Sequence, residues 1–366
     1  MAIPLTQPCI HTCTRHTPMP PVQWYLECKR VPNDTVDTSR DGMHHKQLVP
    51  IAHNEVMFTY TLKDRHARSR FTQRWCTLTL SDEGTLTSVP IEGPPGCDNI
   101  MDMRIVRVEE SLIAYGGYTQ PHNTDRCEDT PSPSMFTYSI DTREWAEVVC
   151  EGEVPQPRLG PLVFPFQNTL VLMGGFSARD ISPGEGKSGP LSDMWHWCGD
   201  TGWTRTGDTP CTMVSSEVVG DATQDAVLLF RDYGNGTETF RYSPGDQQWE
   251  GPCSVRPLSG EDMREMGRFP QPYRSCALSA KRILYITKGY FGSTLRLWLI
   301  NAVSGECVQC ESIPGLVSGS TAACLINPYT LLVVGDHMPE GRYRSQDSVW
   351  LVEVDPVWLN GEEELE

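Results

Sequence analysis

The sequence predicts an all-β fold, a six-bladed β-propeller of four-stranded antiparallel blades closed by a strand from the N-terminus. Three observations predict it. Residues 112–117 (Leu-Ile-Ala-Tyr-Gly-Gly) and 170–175 (Leu-Val-Leu-Met-Gly-Gly) read almost as copies. Each copy is followed by a polar loop, an alternating aromatic strand, a tight turn and a tryptophan, Trp145 or Trp203. The period is roughly 50 residues, enough for the four short strands of one blade. A propeller is a scaffold whose function sits in its loops, so repetition by itself announces no chemistry.

Aligning on the apolar run before the double glycine finds further copies at 56–60, 226–230, 283–286 and 331–334. Only two copies keep both glycines, Gly116 with Gly117 and Gly174 with Gly175. Lys288-Gly289 and Gly335-Asp336 stand at the equivalent places downstream. The next strand recurs at 75–78, 135–138, 194–197, 239–242, 297–300 and 349–352. Its β-branched and aromatic residues, bounded by Gly, Asp and Pro, argue strand over helix. An Asp turn then leads to Trp145, Trp203, Trp249 and Trp358, while the fifth copy has Cys307 instead. These turns carry the residue types that tight hairpins need.

The apolar run, the Gly-Gly pair, the aromatic strand and the spaced tryptophan together resemble kelch repeats, over nearly everything from 44 to 360. The glycines are expected to permit positive φ and close approach between blades. The large aromatics are expected to fill the widening space between sheets. WD-repeat pairs (Gly-His…Trp-Asp) are absent, and no copy supplies the full Asp-box of sialidase propellers.

The blades are placed at about 44–92, 100–152, 155–207, 211–253, 270–312 and 316–360. Residues 1–21 are expected to be a flexible N-terminus and 361–366 a solvated acidic tail. Residues 22–31 look like the outer strands that begin at Trp145 and Trp203, and 22–43 are assigned as closing strand and linker. The competing reading makes 357–359 that strand.

The 366 residues carry a formal charge of −17. That argues against nucleic acid as the main ligand, because phosphate neutralisation needs concentrated Lys and Arg. Fourteen cysteines without framework spacing, such as Cys76, Cys198, Cys276 and Cys324, read as reduced, buried thiols of a cytoplasmic or nuclear protein. No apolar export segment is seen at the start, and no apolar run nears the roughly 20 residues of a membrane helix. A monomeric, non-secreted protein is expected.

Alternation puts the long connections (about 63–74, 118–134, 176–193, 251–271 and 336–347) on one face, and long loops inside compact domains tend to carry function. In the first of them Lys63, Arg65, Arg68, Arg70 and Arg74 stand out in an acidic chain. One reading is a docking patch for an acidic or phosphorylated segment of a protein partner, since Arg forks bind such groups bidentately. The other is a solvated loop that balances nearby carboxylates. The kelch resemblance further implies that Arg158 and Arg274 lie near the channel mouth, facing a partner or held in ion pairs between blades.

Metal and nucleophile signals are poor. Cys9, His11, Cys13 and His16 are too closely spaced for a tetrahedral site. Cys307-Val308-Gln309-Cys310 falls on a predicted strand, where positions three apart face opposite ways. His44-His45 precedes an inner strand with no nucleophile to pair it. No cofactor, metal or catalytic residue is assigned. The expected function is a non-catalytic interaction scaffold. The alternative, implied by six-bladed kelch mutarotases, is a sugar-binding or isomerising enzyme with its site at the channel mouth.

Overall fold

The structure, a computed structural model, describes residues 27–30, 43–63, 71–97, 99–119, 130–177, 189–210, 218–222, 227–232, 237–243, 248–254, 256–257, 272–279, 282–287, 296–301, 306–310, 313, 321–337 and 346–354. Among these there is no helix, and the fold is all-β.

Antiparallel sheets of four strands follow one another along the chain. The first is Met43–Ala52, Glu55–Lys63, Phe71–Leu80 and Leu86–Pro90. The second is Arg104–Val108, Ser111–Tyr115, Met135–Ser139 and Trp145–Glu147, and the third Leu162–Phe166, Thr169–Met173, Asp193–Cys198 and Gly202–Asp208. The fourth runs Val218–Ala222, Val227–Asp232, Thr237–Ser243 and Gln248–Ser254. The fifth, Pro272–Ser279, Arg282–Thr287, Arg296–Asn301 and Glu306–Cys310, gains a parallel strand, Arg256–Pro257, on its outer edge. In the sixth, Ala322–Asn327, Thr330–His337 and Gln346–Glu353 are joined by Glu27–Arg30 from the other end of the chain. Glu27 pairs with Glu353 and Arg30 with Trp350. Residues 22–26 and 31, like Trp358, lie outside the described residues.

The reason these runs form strands is their period of two, which gives each strand two apolar faces. Met57 packs toward the second sheet, with Ile105 and Phe136, while its neighbour Phe58 packs toward the sixth, with Leu332 and Leu351. The same division recurs in the other sheets, so a buried cluster fills each seam: first with second, second with third, third with fourth, fourth with fifth, fifth with sixth and sixth with first. The first strands of the sheets touch in the same succession. Each fully buried Leu, Val or Phe in these seams contributes about 1.5–3 kcal/mol, so the seams carry most of the stability.

Tryptophans bridge the seams near their outer edge. Trp145 of the second sheet meets Trp75 of the first edge-on at 5.1 Å. Trp203 of the third meets Tyr115 of the second at 5.4 Å. Trp249 lies in the cluster between third and fourth sheets, against Tyr242. The buried Cys307 takes the corresponding place between fourth and fifth.

The double glycines mark where a strand leaves its sheet. Past Gly116 (φ 72°) and Gly117 (φ 83°) the chain continues as Tyr118–Thr119, which pairs with Ile100–Met101; past Gly174 (φ 57°) and Gly175 (φ 91°) it continues as Phe176–Ser177, which pairs with Arg158–Leu159. The expected close approach between blades is therefore corrected: the crowding is against the same repeat. A Cβ on Gly175 would lie 2.8 Å from the Leu159 carbonyl oxygen and 3.2 Å from Pro161 Cα. Gly175→Val combines that collision with a φ that branched residues avoid, and is expected to cost about 3 kcal/mol. Urea denaturation checks it, and a wild-type midpoint would overturn this account of the glycine.

Cys76 and Cys324 are buried as expected. Cys198, at the end of its strand beside the Gly199 turn, is only half-buried, which corrects its assignment to the core. Burial pushes the Cys76 thiol up to about 11, although a bond to Ser88 lowers it in part. The thiol is therefore protonated and unreactive at neutral pH.

Candidate functional site

The strand order assigns the connections to two ends. Those joining first to second strands and third to fourth strands are short, as at 53–54, 109–110, 167–168, 199–201 and 328–329. Gln167 (φ 44°) and Asn168 (φ 62°) make one of them a two-residue turn that needs positive φ at both positions. The connections joining second to third strands emerge at the opposite end and are long in five of the sheets, 64–70, 116–134, 174–192, 288–295 and 338–345, while the fourth sheet has only 233–236. Lys63 closes its strand opposite Phe71. Arg74, opposite Tyr60, is exposed. Arg65, Arg68 and Arg70 lie outside the described residues. Arg274 sits in the strand Pro272–Ser279, with its Cα opposite Ile286.

Arg158 is not a surface group, which corrects its assignment to partner binding. Its side chain is fully buried and makes four hydrogen bonds. Nη1 donates to Asp193 Oδ1 at 2.7 Å and to the Gly174 carbonyl at 3.0 Å, Nη2 to Asp193 Oδ2 at 2.9 Å, and Nε to the Gln156 carbonyl at 3.0 Å. The kink at Gly174 turns a carbonyl onto the guanidinium, so the glycine pair and the arginine form one unit. Burial, the largest influence on Asp193, raises its pKa. The bonds from Arg158 and from Trp195 Nε1 (2.6 Å) outweigh it and hold the carboxyl below the usual carboxylate range. This fork-to-fork pair locks the third sheet.

Two further charged groups stand near the long-connection ends of the first strands, and sequence reading missed both. Lys46, fully buried, donates to Asp336 of the sixth sheet at 2.7 Å. His45 Nδ1 lies 3.6 Å from Asp102 Oδ1, and Arg104 Nη2 lies 3.5 Å from Asp102 Oδ2. His44 and His45 belong to the strand Met43–Ala52 and do not precede it. Both His45 (φ 48°) and Asp102 (φ 54°) have left-handed backbone, a conformation that costs energy in a residue with a side chain. Buried Gln73 accepts from the Asp102 amide at 3.2 Å and so fixes that loop. Lys46 and Asp336 are 290 residues apart and His45 and Asp102 lie in different repeats, so no local pattern signals these pairs.

Among the described residues no three His, Cys, Asp or Glu side chains gather as a metal site. Cys9, His11, Cys13 and His16 lie outside them, and Cys307 and Cys310 fall on one strand. No helix among the described residues is long and apolar enough to cross a membrane.

No family model matches the chain. It is similar in fold to a crystal structure of a protein of unknown function from Dyadobacter fermentans, with a TM-score of 0.60 and 10% identity over 90% of this chain and 99% of that one. It is also similar to the structure of YjhT, with a TM-score of 0.55 and 12% identity over 87% of this chain and 99% of that one. At these identities the likeness is one of fold.

Proposed function

We propose that the chain is a kelch-type propeller of six blades, closed by Glu27–Arg30, which serves as a non-catalytic scaffold for a protein partner. Support for the ring comes from the succession of six seams and from the N-terminal strand seated on the C-terminal sheet. The observation that carries the function is the asymmetry of the connections. One end is trimmed to short turns, while the other spends, in five of the six sheets, long segments that the sheets do not need. The basic residues Lys63, Arg65, Arg68, Arg70 and Arg74 belong to that end, and an acidic or phosphorylated segment fits them by charge. Arg158, being consumed internally, has no part in it.

A second reading, a small-molecule site at the same end, has the strained His45–Asp102–Arg104 group in its favour. Strain of this kind gathers at functional sites.

One experiment separates the two: affinity capture with the wild type and with an Arg65/Arg68/Arg70/Arg74→Glu variant of unchanged melting temperature. The expected result is a partner held by the wild type and lost by the variant. The same partners on both proteins would overturn the basic patch, and an absence of partners would favour the small-molecule reading.

A further inference from the structure

The seam between the second and third sheets opens outward into a cavity of about 250 Å³. Tyr115, Met135, Cys150, Val154, Pro155 and Trp203 line it. Tyr115 is buried, and its hydroxyl bonds to no other described residue. Burial pushes its pKa up to about 12, so the group remains an O–H donor in search of an acceptor. Val154, which lines the cavity, is 43% exposed and offers an apolar contact where solvent meets it.

The exposed mouth of the cavity is acidic. Glu147 lines it, and exposed Glu151 and Glu153 belong to the connection that forms its lip. No lysine or arginine is among the lining residues. Beside it, the strand Trp145–Glu147 pairs on one side only, with Met135–Ser139. Among the described residues nothing pairs its other edge. The equivalent edge of the fifth sheet shows what such an edge accepts, since Arg256–Pro257 lies there in extended pairing.

Size selects the occupant. Pockets for whole small molecules run to about 300–1,000 Å³, whereas this one suits a single large side chain. We propose that the seam docks an extended segment of a protein partner, with one leucine-sized side chain in the cavity and flanking Lys or Arg against Glu147, Glu151 and Glu153. The segment adds to the free edge in the manner of β-augmentation, and its large side chain packs in the cavity against Tyr115 and Trp203. The cavity is at the long-connection end too, since Pro133 and Ser134 line it, but it lies between the second and third sheets, away from the basic residues of the first, and calls for the opposite partner charge.

Fluorescence anisotropy on the full chain tests it. The probe is a labelled synthetic peptide with one leucine between Lys/Arg pairs, compared with a leucine-to-serine peptide of equal charge. The leucine peptide is expected to bind about tenfold more tightly than the serine peptide. A Glu147→Lys/Glu151→Lys/Glu153→Lys variant, altered only at exposed positions, should lose about tenfold in affinity at an unchanged melting temperature. The Arg65/Arg68/Arg70/Arg74→Glu variant should bind as the wild type does, which keeps this surface separate from the basic residues of the first sheet. Equal affinity for the two peptides would mean charge attraction alone and would overturn the proposal. So would full affinity in the glutamate variant, or no binding to the wild type.

Discussion

Replacing Arg158 with methionine is expected to destabilise the protein by about 3–5 kcal/mol, the cost of leaving one half of a buried ion pair behind. The fully buried guanidinium meets a carboxylate whose side chain is 17% exposed, so solvent screens the pair little. The Gly174 and Gln156 carbonyls also lose their donors, which makes the loss larger than that of a surface bridge. Arg158→Met/Asp193→Leu should recover much of the stability, because removing both charges leaves nothing buried and unpaired. The pH dependence carries a second signature. Asp193 has a folded pKa below its unfolded value, so its contribution is present above about pH 4 and is lost as pH falls through the folded value. In Arg158→Met the Arg158 bonds that lower the Asp193 pKa are lost, while burial, which raises it, stays and is opposed only by the Trp195 and backbone bonds. The stability gap between wild type and variant should therefore narrow below about pH 4. Chemical denaturation at several pH values measures it, and a gap that is small or constant with pH would show that the pair is not the lock described here.

Arg158 also shows what a sequence can and cannot disclose. In the run Pro155-Gln156-Pro157-Arg158 it resembles a loop cation, and nothing local says that a carboxylate waits at Asp193, where the third strand of the sheet begins. His45 and Asp102 are hidden for the same reason, since one lies on the first strand of the first sheet and the other in the bend that leads into the second, and only the fold brings them together. The two-residue strands Ile100–Met101 and Arg158–Leu159 are too short to leave a periodicity. Their partners could be read only as the glycines that free the chain to reach them.

The second and third strands of every sheet were legible, because a period of two over four or five apolar residues is a local signal. Met57 and Phe58, or Leu284 and Tyr285, serve two seams at once, and that double burial is why these strands are apolar throughout. The fourth strands of the second, third and fourth sheets were legible through Trp145, Trp203 and Trp249. Where the seam takes a smaller residue, at Cys307, the signal faded although the strand remained. The candidate site was less legible than the fold. Long connections advertise themselves by length, but which charges stay free at their base depends on burial, and burial removed Arg158 from the set and left Arg74.

Deletion of residues 1–32 is expected to have the other large effect, a lower unfolding midpoint and a less cooperative transition. The strand Glu27–Arg30 supplies the outer member of the sixth sheet by pairing with residues 350–353, and no nearby segment of the chain does so among the described residues. At about 0.5–1.5 kcal/mol for each ladder hydrogen bond, loss of this short strand costs about 2–6 kcal/mol directly. The indirect cost follows from the seams. The sixth sheet packs against both the fifth and the first, through Val333 and Trp350 on one side and Leu332 and Leu351 on the other. A sheet that frays at its outer edge loosens both clusters, and the bare edge of Gln346–Glu353 then offers unpaired N–H and C=O groups to another molecule. The truncated protein should therefore melt earlier and self-associate. Thermal unfolding and light scattering across a concentration series check the two effects, and adding a synthetic peptide of residues 22–32 should restore part of the midpoint. An unchanged midpoint in the truncated protein would mean that the sheet is complete without this strand.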